Sequence, residues 1–495
     1  HDEAQRRPNP LGGLVRVADR TLPNPILALP LLLLGLGLLV FAAGRITGDT
    51  WFDLVAGRDI VQHGLPHADR LMAFTSGREW QDQQWLAHLA TYGIYTLGGL
   101  PLVSLADTAC MLAALLTAML AARALGGSAT WITAVACPVA LLLVPSTARA
   151  QTFALPLFAA LVWLLARDAR TSDRRVLLVV PLLVVWANLH GSVLLASALV
   201  LLRCAVGAGF ALRARNVRDL RRPFALAAAA ALAPFASPYG PDLVRYYSAT
   251  ATNGAFHKMV TEWAGTTLRA WPAFFVFAAL VLVAILRPEI KLGLFDSLCL
   301  GALLLAGLDT TRNIVWLPLA ATVLLPRALA EWSPEARSRS RLRPLLMLFA
   351  LAGAIGIGVL AAGVTTARLE HPWPEAEGAA IAQAAASDRS LRVVAQEGYA
   401  DWLLWRFPSL RGKIAFDIRF ELLGDRGLQN VVGLEVAAGP AWNRPFAGYR
   451  LELWNRELKP ELVAALLAEP GTRVLSHHHH VYAILRAAPA QHVSS

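Results

Sequence analysis

The chain has 495 residues, 56% hydrophobic and 16% charged, with a formal net charge of +11 and four cysteines. So apolar a composition excludes an ordinary water-soluble fold of this length, which would need far more polar surface. The positive charge, almost all arginine, sits in short connections between apolar runs; this is the orientation signal of a membrane protein and argues against a nucleic-acid partner.

In chain order, residues 1–24 form a basic tail. Arg6, Arg7, Arg16 and Arg20 precede an apolar run too long for a signal peptide, and no A-x-A site follows, so no cleavable signal is expected. Spans near the twenty residues that a bilayer core demands are predicted at 25–44, 100–123, 129–146, 150–166, 175–189, 192–212, 222–237, 271–287, 292–308, 313–330 and 344–364. Residues 45–84 interrupt them with a polar, acidic, Trp-bearing loop, and 85–97 reads as a re-entrant or interfacial helix. Cys110, Cys137, Cys204 and Cys299 fall inside apolar runs without paired spacing, as small buried hydrophobes do. The fold class is thus an all-α polytopic membrane bundle of about eleven transmembrane helices, occupying 25–364.

Loop charge sets the expected orientation. The N-terminal tail, Arg167–Arg175, Arg213–Arg222, Arg287–Lys291 and Arg327–Arg343 alternate onto one side, which the positive-inside rule makes cytoplasmic. The loops 45–84 and 237–271, the turn Asn188-Leu189-His190-Gly191, and Asp309-Thr310-Thr311-Arg312-Asn313 fall on the other side. Residues 365–495 follow as a small extracytoplasmic α/β domain. Strands are expected at Leu391–Ala395, Lys413–Asp417, Arg473–Ser476 and Val481–Arg486, and helices at Tyr399–Phe407 and Lys459–Ala468. His477–His480 lies between two strands and reads as a hairpin turn in preference to a metal site, because no second ligand cluster is visible.

Chemistry is expected on the extracytoplasmic side. Asp49 and Asp53 are four apart and share a helix face, so they can bind a divalent cation (Mg2+ or Mn2+) or activate a hydroxyl. The alternative has Asp49 capping a helix and Asp53 pairing with Arg45 or Arg58. Asp82 precedes Gln83-Gln84-Trp85 at the return to the membrane, whereas Asp69 and Glu79 read as solvated loop charges. Trp51 suits the headgroup belt. Arg312 sits at the end of a span where the inside rule disfavours arginine, which points to an anionic ligand such as a phosphate, or else to an ion pair with Asp309. His190 and Lys258 face the same compartment and are candidates to support Arg312. Tyr239 and Glu262, in the long 237–271 connection, place an aromatic and an acceptor where a sugar needs them. Arg58, Trp85 and Asn188 complete the candidate sugar and acceptor contacts.

Asp49-Thr50-Trp51-Phe52, Gly57-Arg58-Asp59-Ile60, Gly77-Arg78, Trp80 and Trp85-Leu86 together resemble the first extracytoplasmic loop of bacterial GT-C superfamily membrane glycosyltransferases. Trp186-Ala187-Asn188-Leu189-His190-Gly191, Pro238-Tyr239-Gly240, Glu262-Trp263, Arg312-Asn313 and Phe416-Asp417-Ile418-Arg419 look like further marks of the same subgroup. The resemblance spans nearly the whole chain. It implies a polyprenyl-phosphate-linked sugar donor and an acidic residue of the first loop, Asp49 foremost, as base or metal ligand. Two departures stand out. Asp53 occupies a place where relatives often carry His, and Gln83-Gln84 stands where many have His-Glu; a Gln is no base at neutral pH, so any such duty shifts to Asp82 or Asp53.

The expectation is therefore a cell-membrane enzyme of envelope glycan synthesis. It would transfer a hexosyl or pentosyl group from a polyprenyl-phosphate donor to an extracytoplasmic glycan, lipid or protein. The rivals are a lipid-linked glycan polymerase or ligase, a transporter or flippase of lipid-linked sugars, and a catalytically silent scaffold. A lipid-shaped groove opening beside Asp49 and Arg312 would favour transfer. A continuous water path would favour transport.

Overall fold

A computed structural model describes residues 25–172, 174–252, 261–333, 343–437 and 442–488, so the basic tail 1–24 and Lys258 lie outside the described residues. Each of the eleven expected apolar segments is occupied by helix. Five of these helices are long and apolar enough to cross a bilayer: Trp85–Ala124, Ala150–Thr171, Val193–Arg213, Thr311–Trp332 and Pro344–Ala362. Pro25–Val40, Ala129–Leu143 and Pro272–Leu286 are apolar but shorter, as is Val179–Leu189 with eleven residues.

Small residues let these helices approach closely, as packing in lipid requires. Ala118, Ala122, Ala154, Ala159, Ala320 and Ala321 are fully buried in one cluster, around a core of Phe158, Trp186 and Trp316. At the periphery Ile357 packs against Gly35 and Leu32 against Gly353, so the Arg343–Ala362 helix lies against Ala28–Val40. The Trp85–Ala124 helix breaks at Gly98 and Gly99, the latter at φ 64, just before Pro101. Residues 85–97 are thereby separated from the apolar run 100–124 and stand outside it, as an interfacial helix would.

The acidic loop opens with the helix Gly48–His63. Its N-cap is Thr47, whose backbone N–H donates to Thr50 Oγ1 (3.2 Å). Asp49 is therefore not the cap; it sits in the first turn, where the helix dipole favours a carboxylate.

The C-terminal region forms a four-stranded sheet in the order β1–β2–β4–β3, where β1 is Val393–Ala395, β2 Leu451–Asn455, β3 Arg473–His478 and β4 Val481–Leu485. β1 and β2 are parallel and the remaining pairs antiparallel. β2, at the centre of the sheet, has no counterpart among the strands expected from sequence. The stretch expected as a strand at Lys413–Asp417 makes only a bridge from Ile414 to Val393. His479, at φ 50, and His480 form the β3–β4 turn, in accord with the hairpin expectation.

This region is stitched to the acidic loop by backbone. Gly412 N–H donates to Leu71 O, Ala73 N–H to Ile414 O, and Phe74 N–H to Ala415 O. Arg78 adds bonds to the carbonyls of Leu422 and Leu423. The helix Glu397–Arg406 lies on Gly48–His63, with the Cα atoms of Gly48 and Gly398 in close approach; a Cβ on Gly48 would come within 2.7 Å of Gly398 Cα. The acidic loop and the C-terminal domain thus act as one wall-and-roof unit over an end of the bundle.

Candidate active site

Three local features converge on the first turns of Gly48–His63. Gly57 crosses the 85–97 segment so tightly that a Cβ there would lie 2.2 Å from His88 O. Because Asp53 is one turn before Gly57 on the same face, its carboxylate meets the His88 ring, with Oδ1 3.3 Å from Nε2. On the far side of the ring, Asp82 Oδ2 lies 2.8 Å from Nδ1. Carboxylates only accept hydrogen bonds, so an imidazole between two of them is held as imidazolium. Burial alone would lower the His88 pKa, but Asp82 and Asp53 push it up to about 10. Burial in turn pushes Asp53 up to about 6, against the pull of His88.

The turn after Ala129–Leu143 is locked to the start of the loop. Arg45 Nε donates to Ser146 O (2.8 Å), Ala148 N–H donates to Arg45 O (2.9 Å), and Thr50 Oγ1 donates to Ala148 O (2.6 Å). The lock sets Arg149 beside Asp49, at 3.6 Å, and in an ion pair with Glu262. Arg312 reaches the other oxygen of Glu262 at 4.0 Å and lies over the Trp263 ring. Desolvation and the Glu262 charge raise the Asp49 pKa, opposed by Arg149 and Arg312.

His190 is buried, with its Nδ1 accepting from Ser192 N–H and its Nε2 facing Arg312 Nη2 at 3.1 Å. Burial and the Arg312 charge drive its pKa well below the usual value. A neutral imidazole adds no charge for a phosphate; His190 instead orients Arg312.

Two cavities meet at these residues. A groove of about 450 Å3 runs between helices along Met111, Leu142, Leu155, Trp271, Phe274 and Val315, and is largely apolar. A polar chamber of about 350 Å3 holds Asp49, Asp53, Asp82 and His88, with Arg419, Glu397, Glu421, Glu435 and Lys459 on its C-terminal-domain wall. Arg149, Gln151, Glu262 and Arg312 line both. A larger cavity, about 670 Å3, lies at the opposite end of the Ala154–Thr171 helix. Its buried carboxylates Asp168 and Asp296 are closed by Arg203, Arg222 and Arg170, and it shares no residue with the chamber.

The chamber thus gathers Asp49, Asp53, Asp82, His190, Glu262 and Arg312 from the sequence-predicted set. The other predicted contacts lie elsewhere. Trp51 is no headgroup anchor: it is 1% exposed and packs edge-on against Trp373. Arg58 stacks on Trp405 and donates to the carbonyls of Leu404 and Trp405, tying helix to C-terminal domain. Trp85 Nε1 donates to Asn188 Oδ1, and Asn188 donates onward to Val184 O and Ala236 O, so both are spent on holding segments together. Tyr239 donates to Pro66 O from a buried position.

The bland alternatives shift as well. Arg45 pairs with Asp107 and not with Asp53. Arg312 engages Glu262 and His190, not Asp309. Asp69 is a buried anchor for Arg419 (2.9 Å), not a solvated charge.

Arg149 and His88 are absent from the sequence-predicted set. Arg149 carried the same signal as Arg312, an arginine in a turn on the side where the inside rule disfavours one. His88 carried only its place six residues after Asp82.

A divalent cation held by Asp49 and Asp53 does not fit these residues. The first carboxylate faces Arg149 and the second His88. Among the described residues no group of three or more His, Cys, Asp or Glu side chains is arranged to hold a metal.

No family model matches the chain, and no curated protein matches its sequence. Solved structures do share its architecture. The crystal structure of ArnT from Cupriavidus metallidurans in the apo state aligns with TM-score 0.52 at 13% identity, over 97% of this chain and 98% of that one. The same protein bound to undecaprenyl phosphate aligns with TM-score 0.51 at 15% identity, over 97% and 99%. The R1389S mutant of the mycobacterial arabinofuranosyltransferase AftD aligns with TM-score 0.50 at 16% identity, over 94% of this chain; the chain spans about two fifths of AftD's length (42%). The chain therefore has a GT-C-like fold.

Proposed function

We propose that this chain is an integral-membrane glycosyltransferase that moves a sugar from a polyprenyl-phosphate-linked donor to a hydroxyl of an extracytoplasmic acceptor. One observation carries the reading: an apolar groove runs between helices to a pair of arginines and opens there onto a carboxylate-lined chamber. A lipid tail fits the groove, an anionic headgroup fits Arg149 and Arg312, and a sugar then projects toward Asp49. The ArnT structure holds undecaprenyl phosphate, a ligand of this chemical class. The arginine-rich ends of the helices lie at the far side of the bundle, which by the positive-inside rule supports an extracytoplasmic chamber.

Glu262 pairs with both arginines. It is 43% exposed at the side chain, so an incoming phosphate can displace it from both guanidinium groups at little desolvation cost. Asp49 is the base: its side chain is 35% exposed, whereas Asp53 is 4% exposed and already in an ion pair with His88. Asp49 takes the acceptor hydroxyl proton as the acceptor oxygen attacks the anomeric carbon. The bond from that carbon to the phosphate oxygen breaks, and the electron pair leaves with the polyprenyl phosphate, whose charge Arg149 and Arg312 stabilise. A single displacement of this kind inverts the anomeric centre. The Asp53–His88–Asp82 chain fixes the helix turn beneath Asp49.

The test is Asp49→Asn, purified and folded, assayed for transfer from undecaprenyl-phosphate-linked sugars to a membrane extract. The expected loss is about 10²- to 10⁴-fold in kcat. Full activity in that variant refutes the assignment of the base.

A further inference from the structure

Four of the chamber's carboxylates are already engaged: Asp53 and Asp82 share His88, while Asp49 and Glu262 share Arg149 and Arg312. Glu397 and Glu421 also line it and form no ion pair among the described residues, with Glu397 Oε2 left without a hydrogen bond. Two neutral side chains near the arginines keep an orphaned atom as well. Gln83 is 2% exposed; its Nε2 donates to Ala187 O (3.0 Å), which fixes the amide and leaves Oε1 with no hydrogen bond. Gln151 is 4% exposed, and its Nε2 has no partner. Both side chains line the chamber, and Gln151 also lines the mouth of the groove beside Arg149.

A buried amide atom without a hydrogen bond costs about 1–3 kcal/mol, so such atoms seldom persist without a ligand to satisfy them. A third, Arg419 Nη1, faces the same space from the C-terminal-domain wall. The charge of Arg419 is already met by Asp69 and Asp417, and its plane stacks on Trp80, with ring centroid 4.3 Å away. The chamber thus offers one acceptor and two donors with no uncompensated charge among them, beside an aromatic ring.

We infer that Gln83 and Gln151 form a subsite that reads the hydroxyls of the donor sugar, selecting a neutral hexose or pentose against uronic acids. The inference rests on the donor-lipid reading above and names the sugar class. Gln83 Oε1 accepts from one hydroxyl and Gln151 Nε2 donates to another, between the phosphate held by Arg149 and Arg312 and the base Asp49. A uronic acid would bring a carboxylate to face Asp49 and Asp53, where it would be desolvated without a partner.

The experiment measures Kd in detergent for undecaprenyl phosphate and for its conjugates with glucose, arabinose and glucuronic acid. The proteins are the wild type, Gln83→Met and Gln151→Met, with melting curves to verify folding. The expected result is that at least one neutral conjugate binds the wild type about 10-fold or more tighter than undecaprenyl phosphate, and tighter than the glucuronic acid conjugate. Each Met variant then loses about 3- to 10-fold of that gain while its affinity for undecaprenyl phosphate itself stays unchanged. Preference for the glucuronic acid conjugate overturns the inference, as does the absence of any gain from a sugar. An equal loss for bare undecaprenyl phosphate in Gln151→Met overturns it differently, making Gln151 a phosphate ligand. Failure of the wild type to bind undecaprenyl phosphate refutes the donor-lipid reading itself, and the subsite with it.

Discussion

Replacing Gly57 with alanine tests the helix crossing that brings Asp53 to His88. The added Cβ would lie 2.2 Å from His88 O and 2.5 Å from Tyr92 Cβ. Both neighbours belong to the helix backbone or its first side-chain carbon and cannot rotate away. Gly48–His63 and the 85–97 segment must therefore part by about 1 Å to restore ordinary contact distances. Overpacking of this kind costs about 1–3 kcal/mol. Separation on that scale also breaks the 3.3 Å contact between Asp53 and His88 and displaces Asp49 one turn away; a 1 Å misplacement of reacting groups costs about 10²-fold in rate. Gly93→Ala is the control, since nothing lies within 4 Å of its Cβ position; a helical Gly→Ala change there stabilises by about 0.5–1 kcal/mol. Thermal melting of the two purified variants, with transfer from an undecaprenyl-phosphate-linked sugar as the rate assay, should show Gly57→Ala melting lower than Gly93→Ala and reacting about 10²-fold slower. If Gly57→Ala melts with the control and turns over normally, the crossing does not set the site.

Two further outcomes follow from the electrostatics. Glu262→Gln should tighten binding of undecaprenyl phosphate, because the group competing for Arg149 and Arg312 loses its charge. The same change should move the acid limb of the rate profile downward: a base must be ionised, so activity falls as pH drops through its pKa, and Glu262 is one cause holding Asp49 above the ordinary 3.8. A limb that stays put, or weaker lipid binding, contradicts the placeholder role of Glu262. Treatment with EDTA, then dialysis, should leave the rate unchanged, since Asp49 and Asp53 already face Arg149 and His88; activity restored only by Mg2+ or Mn2+ would show that these carboxylates hold a metal after all.

The helical architecture was readable because lipid solvation demands it. Runs that are apolar all round have no alternative to helix, and the eleven segments delimited by hydropathy are helical in the structure. The C-terminal sheet was less legible. β2 reads Leu451-Glu452-Leu453-Trp454-Asn455 and carries a fully buried Glu452 that pairs with Arg486 and accepts from Trp454 Nε1. A central strand buried on both faces shows no alternation, and a carboxylate in its middle argues against it until its partner is in view. The Lys413–Asp417 stretch has strand composition, yet its neighbours are Val393 and the acidic loop 71–74, from opposite ends of the chain.

Residue by residue, the site divides along the same line. Asp49, Asp53 and Arg312 were legible because each breaks a local rule: carboxylates beside a bilayer, an arginine on the wrong side. Arg58, Trp85, Asn188 and Tyr239 break rules too, but they satisfy one another or nearby carbonyls, while Trp51 packs on Trp373; only the structure distinguishes a group spent on packing and bracing from one left facing a cavity. The converse holds for Gln83 and Gln151. Neither attracts notice by type, and Gln83 looked like a departure from the family's His-Glu. Their significance lies in what they lack: both are buried in the chamber wall with one amide atom unsatisfied, and Gln151 also lines the groove. A chain that carries amides where the family has His-Glu can read a sugar hydroxyl there through a neutral hydrogen bond, without adding a further charge to the chamber.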